Sequence, residues 1–139
     1  MRPVCDEDQE FIFESYKATL KPYVEWAWGW NEEFQRNGFG KHHPREQFRV
    51  ITVDGNRAGG IHTEEQNALN FVRLIFLLPE FQNRGLGSEL LQYEAERANQ
   101  AGKQLHLKVI KINPAKKLYE RLGFQVIGED DATFHMRLG

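Results

Sequence analysis

The chain has 139 residues, 40% of them apolar and 27% charged, which suits one domain with a sizeable core. Its 18 basic and 20 acidic residues are interspersed and leave a net charge of −2, against the basic face of a nucleic-acid binder. No apolar run reaches the roughly 18 residues of a membrane span, the start Met1–Asp8 turns acidic where a signal peptide turns apolar, and one cysteine, Cys5, excludes an intrachain disulfide.

A soluble cytoplasmic protein with no nucleic-acid or membrane partner is therefore expected. No repeat, low-complexity tract or linker appears, so the sequence reads as one domain over 1–139. Pro3-Val4 reads as the tail of a short strand. Asp6 or Asp8 then caps a helix carrying Phe11, Ile12, Tyr16 and Leu20. Lys21-Pro22 interrupts it. From about Pro22 to Arg36 the spacing predicts a second helix, with Tyr23, Trp26, Ala27, Trp30 and Phe34 on its inner stripe. Trp28 lies off that stripe and is the better candidate for lining a pocket. Asn37-Gly38-Phe39-Gly40 ends the helix, and a polar loop with His42-His43-Pro44 follows. That histidine pair lacks metal-ligand spacing, so no metal is expected.

From Gln47 the period changes to two. Phe48, Val50, Ile51 and Val53 make a strand, Asp54-Gly55-Asn56 a hairpin turn, and Ala58 to Glu64 the returning strand. Glu65-Gln66-Asn67 turns into the strand at 69–78, and three consecutive antiparallel strands are the simplest arrangement. Pro79-Glu80-Phe81 stops the third, and a helix runs over about 86–101 to Gly102. Leu105, Leu107 and Val109 mark another strand. Asn113-Pro114 starts a helix with Ala115, Leu118, Tyr119 and Leu122 on its inner face, and Gly123 ends it. Phe124–Gly128 and Thr133–Leu138 are two closing strands. The expected class is α/β (α+β), with a mixed, mostly antiparallel central sheet and helices on both faces.

Between the strand at 69–78 and the next helix lies Gln82-Asn83-Arg84-Gly85-Leu86-Gly87-Ser88. A strand, a glycine-containing turn and a helix start suit a phosphate: backbone N–H groups converge and the helix dipole adds about half a positive charge. The P-loop pattern fails because Glu89 follows Gly87-Ser88. The dinucleotide fingerprint fails because Leu90 stands where its third glycine belongs.

Gln-x-x-Gly-x-Gly at 82–87 resembles the acyl-CoA-binding motif of the GCN5-related N-acetyltransferase (GNAT) family. Asn113-Pro114-Ala115-Lys116-Lys117-Leu118-Tyr119-Glu120-Arg121-Leu122-Gly123-Phe124 is similar to that family's second signature, Asn…Ala…Leu-Tyr-x-x-x-Gly-Phe. Asn113 stands one residue closer to the tyrosine than in many members. Two motifs in the family's order are far more specific than either alone, and the element order agrees over about 47–138. The resemblance implies the GNAT acyl-CoA N-acyltransferase fold and acetyl-CoA as acyl donor, without a metal. It further implies that the backbone of Ile75, Phe76 and Leu77 pairs with pantetheine, that the N–H groups from Asn83 to Ser88 (Asn83, Arg84, Gly85, Leu86, Gly87, Ser88) take the pyrophosphate, and that Gln82 and Asn113 belong to the cofactor site. For Arg84 an exposed, solvated position is equally compatible.

Acetyl transfer needs a neutral amine, although a free alkyl ammonium has a pKa near ~10.4, so a base, a water or a desolvating pocket must help. The departing thiolate, whose thiol is near ~8.5, takes a proton from a nearby acid, and Tyr119 matches the family's tyrosine for that role. No base stands out. Glu25 is a weak candidate, with Glu33, His62 and Glu64 behind it, and a solvated surface place is the simpler reading for each. The acceptor, a small-molecule or peptide amine, is expected near Trp26, Trp28 and Trp30 and the loop at 37–46. Direct attack in a ternary complex follows from the lack of a poised nucleophile. A homodimer is open, and the competing class is a non-catalytic acyl-CoA-binding sensor.

Overall fold

The computed structural model describes residues 1–139. Seven strands, mostly antiparallel, are hydrogen-bonded in the order β1-β2-β3-β4-β5-β7-β6, and four α-helices complete a mixed α/β fold. The chain forms two compact units, Met1–Thr63 with Arg73–Gln82, and Glu64–Val72 with Asn83–Gly139.

In the first unit β1 (Arg2–Pro3) pairs antiparallel with β2 (Phe48–Val53), Arg2 opposite Val50. Helix α1 runs from Gln9 to Trp28 and α2 from Glu32 to His42. This corrects two sequence expectations. Pro22 sits inside α1 instead of opening a second helix, and α2 continues through Gly38 and Gly40. A mid-helix proline costs about 3 kcal/mol. Packing on both sides offsets it: Ile12, Phe13 and Tyr16 are buried before Pro22 and Val24 after it. What stops α1 is Gly29, at φ 82 and ψ 171, a conformation that only glycine adopts readily. Asn31 then caps α2, its Oδ1 accepting the N–H of Phe34 at 2.9 Å. Phe39 holds the glycine-containing last turns of α2 by ring contacts of 5.0 Å to Tyr16 and 4.8 Å to His43.

Strand β3 (Asn56–Glu65) returns antiparallel beside β2, Phe48 opposite His62. It lies against the later residues of β4 (Leu69–Leu77) so closely that a Cβ on Gly59 would come 2.0 Å from the Phe76 carbonyl oxygen. The core of this unit is Ile12, Phe13, Tyr16, Phe48, Val50, Ile51, Ile61 and Phe76, each worth about 2 kcal/mol of burial. Asp8 closes the N-terminal end. Only 1% exposed, it takes a two-pronged bond from Arg2 at 2.7 and 2.8 Å and a second positive charge from Arg57 at 3.4 Å.

In the second unit the early residues of β4 pair in parallel with β5 (Gln104–Ile110), Leu69 opposite Gln104 through Val72 opposite Leu107. Helix α3 (Leu86–Gln100) stops at Gly102, φ 72, with Lys103 donating to the Ala98 carbonyl at 2.8 Å. Helix α4 (Ala115–Arg121) leads through Gly123, φ 103, into β6 (Gln125–Glu129). Asp130 organises the turn into β7 (Thr133–Leu138), its Oδ1 accepting the N–H groups of Ala132 and Thr133. Strand β7 pairs antiparallel with β5 on one side and β6 on the other. Leu91, Ala98, Leu105, Leu107, Val109, Phe124 and Met136 fill this core.

Candidate active site

The second unit brings the predicted pyrophosphate loop and the predicted acid onto touching elements. Asn83 and Gly85 are both left-handed, at φ 60 and φ 80, on either side of Arg84. Alternation of this kind lets consecutive N–H groups turn toward one anion. Leu86, Gly87 and Ser88 are the first three residues of α3, so their N–H groups have no carbonyl acceptor within the helix. The helix dipole favours negative charge at the same place. Gly85 faces open space, and a Cβ on Gly87 would lie 3.3 Å from Leu118 Cδ2. The residues present thus fit a pyrophosphate.

Leu118 precedes Tyr119 on α4, which ties that helix to the start of α3. Tyr119 is 7% exposed, with its ring edge-on to Phe124 at 6.0 Å. Burial pushes its phenol up to about 12, so it keeps its proton throughout the neutral range. Asn113 Oδ1 accepts the Ala115 N–H at 2.9 Å and so fixes the first turn of the same helix. On β5 and β7, His106 Nδ1 lies 2.9 Å from His135 Nε2, and burial lowers both imidazoles.

The remaining predicted site residues belong to the first unit. Ile75, Phe76 and Leu77 end β4; Phe76 is buried with its ring near Tyr16 and Phe48, at 6.5 and 6.3 Å. Gln82 turns its Nε2 back to the Leu77 carbonyl at 2.8 Å, so its side chain holds the end of the strand it follows. Glu25 is exposed near the end of α1. Trp26 is 51% exposed, which corrects its place on an inward stripe: α1 ends two residues later and its buried face runs through Tyr16 and Val24. Trp28 is 65% exposed. Trp30 is half-buried, its ring 5.9 Å from Tyr16 and its Nε1 donating to Glu32 at 3.0 Å.

One cluster had no sequence signal. His62, expected on the surface, is 1% exposed on β3, where it fills the space between Phe48 and the end of α2. Its Nε2 meets Gln47 Oε1 at 2.7 Å and its Nδ1 meets His43 Nδ1 at 2.7 Å. With Gln47 presenting its carbonyl, His62 carries its proton on Nε2, and His43 donates from Nδ1. His43 is then neutral. Burial first, then His62, His42 and Arg73, holds His43 down to about 3. His43 lines a cleft of 420 Å³ with Phe13, Phe39, Phe48, Glu10 and Arg36. The ring of Phe48 lies 6.4 Å from both imidazoles and 6.3 Å from that of Phe76 on β4. His43 and His62 are a packed hydrogen-bonded pair within the unit, joined across 19 residues of sequence.

The chain matches the family described as acetyltransferase (GNAT) domain over residues 44–126, from before β2 into β6. No curated protein sequence matches it. Solved structures share its fold. PaiA N-acetyltransferase from Thermoplasma acidophilum, in complex with coenzyme A, is 19% identical at a TM-score of 0.72, covering 98% of this chain and 95% of that one. PH1933 from Pyrococcus horikoshii OT3 is 20% identical at a TM-score of 0.76, covering 99% and 93%. Naa50 from Arabidopsis thaliana, in complex with the bisubstrate analogue CoA-Ac-MVNAL, is 15% identical at a TM-score of 0.65, covering 99% and 95%. With the family profile spanning more than half of its residues, from the first long strand through the loop, α3, β5 and α4, the chain belongs to the GNAT acetyltransferases.

Proposed function

We propose that the chain acts as one N-acetyltransferase domain over 1–139, transferring acetyl from acetyl-CoA to a primary amine of a small molecule or peptide by direct attack. The observation that carries this reading is the contact between α3 and α4. A loop suited to pyrophosphate, Asn83–Ser88, abuts the helix that carries a buried tyrosine with its proton secured. The CoA complex of PaiA and the CoA–peptide analogue on Naa50 support the choice of donor and of an amine acceptor.

In the proposed step the amine nitrogen bonds to the thioester carbonyl carbon, the carbon–sulfur bond breaks, and the sulfur leaves as a thiolate. Tyr119 donates its hydroxyl proton to that sulfur. The proton shed by the attacking amine restores the phenol, so atoms and charge balance. A phenol near 12 is a weaker acid than a free thiol near ~8.5. The same dry surroundings raise a departing thiolate too, which narrows the gap. The N–H groups of Asn83–Ser88 bind the pyrophosphate, and the backbone of Ile75–Leu77 orients the pantetheine arm. Glu25 and the tryptophans of α1 and its following turn serve the acceptor.

Thiol release from acetyl-CoA against a panel of primary amines tests the reading. Turnover on at least one amine is expected. Tight CoA binding with no turnover on any amine would identify a sensor instead.

A further inference from the structure

The junction of α1 and α2 carries an unusual surface. Trp26, Trp28 and Phe34 are 51%, 65% and 66% exposed, three large rings left to solvent within nine residues. Large aromatic side chains normally bury most of their area, so three together call for a ligand. The same stretch is acidic. Residues 22–35 contain Glu25, Glu32 and Glu33 and no lysine, arginine or histidine.

The ion pairs of the two helices sharpen the point. Of their five acids, Glu10 and Glu14 pair with Arg36, and Glu32 pairs with Lys17 and Arg36. Glu25 and Glu33, the two beside the exposed rings, have no cationic partner in the fold. Glu33 and Phe34 also line a cleft of 430 Å³ with Asn31 and Asn37, while its basic lining residues, Lys41 and His42, stand two turns further along α2. Rings with negative faces and unpaired carboxylates attract the same thing, an alkylammonium. An uncharged apolar partner would leave both carboxylates unsatisfied.

We propose that this surface holds a second positive charge of the acceptor, so that the protein selects aliphatic amines carrying two or more ammonium groups over monoamines. The inference rests on the acetyltransferase reading only for calling this ligand the acceptor. An ammonium on one ring is worth about a threefold gain in affinity at an exposed site, and each carboxylate adds a similar factor that salt removes.

Tryptophan fluorescence without acetyl-CoA tests it, because all three tryptophans, Trp26, Trp28 and Trp30, lie at this junction. The probes are diaminobutane, its near-isostere n-pentylamine, and a short peptide with two lysines. At low salt both dications should perturb the emission at concentrations about tenfold below pentylamine. Trp28→Ala and Glu33→Gln should each cut that preference about threefold, and high salt should erase it. Diaminobutane alone perturbing the emission would mark a free oligoamine as the acceptor, and a response from the peptide would extend the site to basic chains. Equal response to pentylamine and the dications, or a preference indifferent to both variants, overturns the proposal. So does a concentration-dependent dimer that Phe34→Ala dissolves, since the rings would then be covered by a second copy. If discrimination persists while acetyl-CoA supports no turnover on any amine, the transfer reading fails and the cation surface stands.

Discussion

Replacing His43 with asparagine should remove most of the loss of stability that the first unit suffers on mild acidification. In the folded protein burial keeps His43 neutral down to about 3, whereas the unfolded imidazole takes up its proton near 6.5. Between those values the unfolded chain binds the extra proton, so stability rises with pH. The contribution of His43 is fully present above about 6.5 and is lost as the pH falls toward 3. From pH 7.5 to pH 5, a separation of that size corresponds to about 2 kcal/mol. Partial exposure and solvent screening reduce this to about 1–2 kcal/mol. The His43→Asn variant would still offer a side-chain N–H to His62 Nδ1, so it deletes the titration with little loss of the hydrogen bond. Urea unfolding of both proteins at pH 7.5, 6 and 5 measures the difference directly. The wild type should lose about 1–2 kcal/mol more than the variant over that range. Parallel losses would show that His43 titrates normally in the folded protein and that the buried pair is misread.

Tyr119→Phe should lower turnover at saturating substrates about tenfold or more, with CoA affinity and the unfolding transition unchanged; unaltered turnover would remove Tyr119 as the acid. Gly59→Ala should destabilise by about 3 kcal/mol in urea unfolding, because the added Cβ would meet the Phe76 carbonyl at 2.0 Å and backbone cannot rotate away. In contrast, Gly40→Ala places a methyl in open space within α2 and should stabilise by about 0.5–1 kcal/mol, as thermal unfolding would show. Asp8→Asn should cost about 2 kcal/mol in urea unfolding at neutral pH, since the buried site would lose its charge-assisted bonds to Arg2.

Elements with local punctuation were legible in the sequence. Gly102, Asn113-Pro114 and Gly123 end or open α3 and α4 where expected, because each residue has a backbone preference that needs no tertiary partner. Helices α1 and α2 were less so. Pro22 ordinarily interrupts a helix, and only the buried residues on both sides of it carry α1 through. The true stop, Gly29, looks in sequence like any glycine between two tryptophans. The place of Trp26 was misread for the same reason, since a stripe counted from Pro22 assumes a helix that does not begin there. His43 and His62 approach only through the packing of the end of α2 on β3, which no spacing rule encodes. The loop at 82–88 could be read as a motif because glycine spacing records backbone shape, here the left-handed Asn83 and Gly85. The acceptor surface proposed for the junction of α1 and α2 rests on side chains from a segment with no such signature.

Acetyl transfer to an amine is tested by counting both products of one reaction. Acetyl-CoA and an amine that supports turnover are mixed with the protein, and free thiol and acetylated amine are measured together, the latter by its gain of one acetyl mass. Equal amounts of the two, formed only with protein present, are predicted. Thiol release without acetylated amine, or CoA binding without either product across the amine panel, would mean that the chain transfers no acetyl group to an amine.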